Sequence, residues 1–157
     1  MNTQVGRRAA RGAGRRAARG AVAVEFVLLI PVLLTLIGLV VAGSRVWWVK
    51  TGTAQLASSA ARQASIARSA SEAVISAGQV VQSDAVHSGL RCGAEGIWPT
   101  LTLDTSGFHV AVGLPAQVTA TVRCSVPLSD LILPGLPGYL PVEATAVSPL
   151  DRFRARE

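Results

Sequence analysis

The stretch AVAVEFVLLIPVLLTLIGLVVAG, residues 21–43, decides the architecture, because its 23 positions carry a single charged side chain, Glu25. At a helical rise of 1.5 Å per residue it would extend about 34 Å. That suffices for a hydrocarbon core of about 30 Å. Pro31 would cost about 3 kcal/mol inside an exposed soluble helix, but a membrane helix tolerates proline as a kink whose freed backbone groups find partners nearby. The stretch reads as a transmembrane helix.

What flanks it sets the expected orientation. Arg7, Arg8, Arg11, Arg15, Arg16 and Arg19 stand in the first twenty residues with no acid among them. Basic flanks resist translocation, which predicts residues 1–20 as a cytosolic leader and places the C-terminal part outside the cell membrane on a single-pass anchor. A secretory signal peptide shares the basic start, but its apolar run is usually about 7 to 15 residues. The best small-residue exit here, Val40-Val41-Ala42-Gly43-Ser44, fits cleavage poorly. The pairs Arg7-Arg8 and Arg15-Arg16 lie in an Ala/Gly/Arg tract without the surroundings of a twin-arginine export signal; the tract reads as a disordered leader.

The chain's net charge of +6 raises the question of nucleic acid, and its distribution answers it. From Ser44 onward nine basic side chains face eight acidic ones. A nucleic-acid surface masses basic residues on a folded body, commonly with aromatics or a reading motif, and none is legible. At 157 residues there is room for one compact domain and an anchor.

Glu25 requires an account, because an ionisable group near the bilayer centre costs about 2.5 to 3.5 kcal/mol even on the lenient insertion scale. A position close enough to the membrane edge to stay hydrated is one account. The neighbouring residues supply another. Arg19-Gly20-Ala21-Val22-Ala23-Val24-Glu25-Phe26 resembles the processing motif of type IV prepilins: a basic leader, a glycine, and glutamate as the fifth residue after the cut. Extended through Val27-Leu28-Leu29-Ile30-Pro31, it resembles the N-terminal signature of the TadE-like family, minor pilin-like proteins of tight-adherence (Flp) pilus systems. Ala144-Thr145-Ala146-Val147-Ser148-Pro149-Leu150-Asp151-Arg152-Phe153-Arg154 is similar to endings found in that family.

The resemblance implies a prepilin peptidase that cuts between Gly20 and Ala21, leaving Ala21 as the new N-terminus, with Glu25 one helical turn away. Residues at i and i+4 share a face, so the carboxylate is placed to neutralise an α-amino group, that of a neighbouring subunit. The partners implied are the membrane, the peptidase, other pilin-like subunits and the assembly machinery. Major Flp pilins are very short and nearly all helix, whereas this chain carries an extra domain, so the resemblance points to a minor component.

Beyond Gly43 no proline occurs until Pro99, and residues 44–82 are rich in Ala, Ser and Gln. A helix is predicted to continue and to end between Gly78 and Gly89. Val46, Val49, Thr53, Leu56, Ala60, Ala64, Ala67, Ala70, Val74, Ala77 and Val81 recur at steps of three and four, forming one stripe that needs a cover. Trp47, Trp48 and Lys50 follow the apolar run as an interfacial belt would; core packing of one ring is the alternative.

After Ser88 the chain breaks into short alternating segments separated by Gly and Pro, a β signal. Thr100–Asp104, Phe108–Val112, Gln117–Cys124 and Pro141–Val147 are the expected strands, with Gly113–Ala116 closing a hairpin. Leu128–Pro141 reads as an apolar loop that packs on the core or exposes a patch for a partner. The fold class predicted is α+β: a long N-terminal transmembrane helix extending into a pilin-like domain with a small antiparallel β-sheet. The expected segments are 1–20 leader, 21–43 membrane helix, 44–88 outer helix and 89–157 β-rich domain.

Cys92 and Cys124 are the only cysteines, and both fall on the predicted outer side, where oxidation is commonly permitted. A disulfide is the expectation; two buried free thiols are the alternative. His87 and His109 are too far apart in sequence to suggest a metal-ligand set, and no cofactor motif is legible. No nucleophile elbow, phosphate-cradling loop or zinc-protease pair occurs, so the chain is not expected to be an enzyme. The rival function is an uncleaved membrane-tethered module whose outer domain binds an envelope ligand; a third, a protein released near Ser44.

Overall fold

The computed structural model describes residues 4–90, 92, 98–131, 135 and 137–153, with side chains from residue 25 onward. Helix α1 runs Gln4–Ile66 and α2 Ala70–Ser88; strands β1 (Thr100–Asp104), β2 (Gln117–Pro127) and β3 (Tyr139–Pro149) follow, with a 3₁₀ turn at Ser106–His109. This is the α+β architecture of one long apolar helix, a second helix and a small antiparallel sheet. The chain divides into two compact units, which part between Val41 and Ala42.

The predicted continuous outer helix is instead two helices, and the reason is local. Ser69 is extended (φ −131°, ψ 159°) and its side chain accepts from the Glu72 backbone N–H. The Glu72 carboxylate reaches back to the Arg68 N–H at 2.9 Å. Ser69-Ala70-Ser71-Glu72 is thus a capping arrangement that satisfies donors at the start of a new helix. At its other end Gly89 adopts φ +64°, with its N–H bonded to the Val86 carbonyl and that of Leu90 to Ala85. This is a Schellman stop, in which glycine takes a left-handed conformation without a Cβ penalty.

The turn at 67–69 folds α2 back, bringing Leu90 against Gly52 of α1: a Cβ on Gly52 would lie 3.0 Å from the Leu90 Cδ1. Val49, Thr53, Leu56, Ala60, Ala64 and Ala67 are buried as the stripe predicts, and so are Ala77 and Val81 in α2; α2 also buries Ala73 and Ala85, leaving Val74 exposed and Ala70 half-buried.

The sheet is a meander of order β1-β2-β3, with β2 antiparallel to both neighbours. Along β2, Val118, Ala120, Val122, Cys124 and Val126 are buried, while Gln117 and Arg123 are exposed; this is the two-residue alternation of a half-covered sheet. Buried side chains of both helices join those of β2 in one core. Pro141 inside β3 fits its edge position, since proline cannot donate to a second ladder.

Phe108–Val112 is not a strand. Both flanks of β2 are already taken by β1 and β3. Asp104 Oδ1 accepts from the Ser106 N–H, turning the chain, and Phe108 drops into the core. Gly107 packs so closely on Gln117 that a Cβ there would run into the Gln117 carbonyl oxygen. β2 and β3 run further than predicted, because eleven register pairs from Gln117↔Pro149 to Pro127↔Tyr139 zip to the end. The apolar loop therefore starts at Leu128 as expected but gives way to β3 at Tyr139.

Candidate functional site

Two regions of the chain carry features that the core does not consume. The first is the apolar part of α1. From Phe26 to Val41 large apolar side chains are exposed, among them Phe26, Leu28, Leu29, Leu33, Leu36 and Leu39. A helix that is apolar all round needs a nonaqueous cover. Among the described residues this is the one helix long and apolar enough to cross a membrane. Pro31 lies inside it, and the Thr35 hydroxyl donates to the Pro31 carbonyl at 2.7 Å. That bond satisfies the Thr35 hydroxyl within the helix itself, so the side chain brings no unpaired donor into an apolar setting.

Glu25 is exposed at the start of this run. Gly20 and Ala21 lie on helical backbone, and their side chains fall outside the described residues. The helix places Ala21 and Glu25 one turn apart on one face.

The second region is the end of the outer unit where α1 meets the β2–β3 turn. Arg45 Nη1 lies 2.7 and 2.8 Å from the two carboxylate oxygens of Asp130, and donates to the Pro127 carbonyl at 3.2 Å. The Arg45 guanidinium holds the Asp130 carboxyl below its ordinary value. Leu128 N–H donates to the Gly138 carbonyl at 2.9 Å, closing the base of the turn, and Tyr139 stands opposite Pro127 in the ladder. Trp47 and Trp48 are 66% and 64% exposed, so neither ring belongs to the core, and Lys50 is exposed beside them.

The disulfide joins Cys92 to Cys124 with their Cα atoms 5.0 Å apart. It ties the segment after α2 to the central strand, and both residues are buried. On the opposite, wet face of the sheet Thr121 and Thr145 share a 3.1 Å hydrogen bond and Arg123 pairs with Glu143 at 2.9 Å. Asp104 is held below the ordinary carboxylate value by its bonds to Ser106.

A shallow groove runs between α1 and α2, lined by residues including Gln55, Ser59, Arg62, Asp84 and His87. His87 Nδ1 is occupied by the Ser83 carbonyl at 2.7 Å. Among the described residues no three His, Cys, Asp or Glu side chains gather where they could hold a metal ion.

The structure brings the two cysteines together and leaves Trp47, Trp48 and Lys50 each exposed on α1. Sequence reasoning missed Arg45 and Asp130, which lie 85 positions apart with nothing to pair them. It also passed over the Ser-x-x-Glu signal at Ser69, which was legible.

The family model described as TadE-like protein matches residues 20–62, from Gly20 through the apolar run and into the second compact unit. The match agrees with the resemblance carried by residues 19–31, and it points to a membrane component associated with a tight-adherence pilus system. No curated protein and no solved structure matches the chain.

Proposed function

Proceeding from the TadE-like match over residues 20–62, we propose that the chain is a minor pilin-like component of a tight-adherence pilus assembly or secretion system. A membrane prepilin peptidase matures it between Gly20 and Ala21. The arginine-rich leader stays in the cytosol and the outer unit lies beyond the membrane, where the Cys92–Cys124 bond is stable to the redox environment. The chain is the substrate of that peptidase, not an enzyme, and it works by inserting its helix among other pilin-like helices.

The observation that carries this reading is the order of features inside the matched residues. Gly20 is followed by Glu25 at the fifth position after the cut, and then by an apolar helix with no protein cover of its own. Cleavage creates a helix start at Ala21 with a free α-amine and unpaired N–H groups, a concentration of positive charge. The Glu25 carboxylate of an adjacent subunit answers that charge. In a low-dielectric setting such a pair holds together strongly once both charges are present, and breaking it by removing one partner is costly.

Mass spectrometry of protein recovered from native membranes tests the maturation. A mature N-terminus at Ala21 is expected. Persistence of the leader would favour the tethered binding module, and a start near Ser44 would mean a released protein. Glu25→Gln is expected to be processed yet poorly incorporated into the assembly; incorporation at the wild-type level would remove the proposed pairing.

A further inference from the structure

The end of the outer unit that carries the Arg45 clamp has a surface the core does not explain. Trp47 and Trp48 are 66% and 64% exposed, and Tyr139 is 51% exposed. The three rings belong to two separate elements, α1 and β3, yet the clamp sets them at one level. Arg45 is bonded to Pro127 and Asp130, and Tyr139 is the ladder partner of Pro127. Opposed residues in an antiparallel pair have Cα atoms about 4.5 to 5.5 Å apart, so Tyr139 sits at the level of the clamp.

Chain connectivity then fixes how far this level can be from the membrane, given that residues 21–43 are the anchor. Arg45 is two residues past Gly43, and two Cα steps reach at most about 8 Å whatever the angle between the units. In the helix, Trp47 and Trp48 follow at about 1.5 Å per residue. The polar interfacial layer is roughly 5 to 7 Å thick on each side of the hydrocarbon core. Clamp and rings therefore fall within or just above that layer. Trp and Tyr, with apolar bodies and polar tips, are the side chains that partition there. Asp130, the acid at this end, has its charge answered by Arg45, while Lys50 remains free to face anionic headgroups.

We propose that the β2–β3 end of the outer unit rests on the lipid headgroup layer, with Trp47, Trp48 and Tyr139 as interfacial side chains at the level of the Arg45–Asp130 clamp. The contact gives the outer unit a second point of attachment besides the helix. Within the unit, β2 is eleven residues long at about 3.3 Å each, so the β1–β2 loop lies at the opposite end of the sheet, roughly 30 Å from the clamp.

This inference rests on the anchor reading, and the test separates the two. Single spin labels are placed in the oxidised full chain by Leu36→Cys, Ser129→Cys and Ala111→Cys, at three exposed positions. The chain is reconstituted in nanodiscs of phosphatidylcholine and phosphatidylglycerol, and accessibility to lipid-soluble oxygen and to an aqueous nickel chelate is measured. The Leu36 label should be shielded from nickel, and the Ser129 label several-fold less accessible to nickel than the Ala111 label. Equal accessibility at Ser129 and Ala111 with Leu36 in lipid would overturn the headgroup contact while leaving the anchor intact. A nickel-accessible Leu36 label would overturn the anchor itself. Protection of Ser129 in native membranes but not in nanodiscs would overturn the lipid assignment in favour of a protein partner.

Discussion

Replacing Cys92 and Cys124 together by alanine removes a cross-link between positions separated by 32 in sequence. In the chain-entropy account, the loss of loop closure at that length destabilises the folded outer unit by about 3.7 kcal/mol at 298 K. Both sulfurs are buried, so the alanines add a smaller packing loss in the same direction. With a urea slope of about 2 kcal/mol per molar for a unit of this size, the midpoint should fall by roughly 2 M. The assay is a urea titration of the full chain in detergent micelles, followed by tryptophan fluorescence, with the oxidised wild type alongside. Reducing the wild type with dithiothreitol should reproduce the shift, since it removes the same constraint without a mutation. A double variant whose midpoint moves by less than about 0.5 M, matched by an equally small effect of reduction, would refute the view that this small core depends on its cross-link.

Ser69→Ala removes the side chain that caps α2 and should cost about 1 kcal/mol, read as a lower urea midpoint with little change in the folded helix content. Gly107→Ala drives a methyl group into the Gln117 carbonyl and should cost about 1 to 3 kcal/mol by forcing the 3₁₀ turn off β2, measured in the same titration. The folded Asp130 carboxyl is lowered from 3.8, so its contribution is present above the unfolded value and is lost as pH falls through the lowered folded value. Because the group is exposed, the effect is small; Asp130→Asn should remove that part of the acid dependence, which parallel pH titrations of the two proteins would show.

Much of the molecule could be read residue by residue, wherever the determining interaction is local or periodic. Residues 21–43 need no partner to declare themselves apolar, and the alternation from Val118 to Cys124 predicts the buried face of β2. Thr100–Asp104 was legible as a strand to the residue. The Gly20 to Glu25 spacing is visible for the same reason, since it lies in contiguous sequence. Periodicity failed at Val74, whose place on the stripe assumed an unbroken helix. The Ser69–Glu72 cap starts a new helix there, and Ala73 is buried in its stead, while Ala77 and Val81 are buried as the stripe has them.

Other features existed only once the chain had folded. Alternation in Phe108–Val112 resembles a strand, but its expected hairpin partner is β2, and β1 and β3 take both sides of that strand. Arg45 meets Asp130 because the helix and the β2–β3 turn converge at one end of the outer unit, across 85 positions of sequence. By itself the sequence determined which segment avoids water, that the helical stretch ends by Gly89, and which face of β2 is buried, because those follow from side chains a few residues apart. Only the tertiary structure decided which carboxylate the arginine holds and which strands flank β2, because these depend on distances between groups that the chain order keeps far apart.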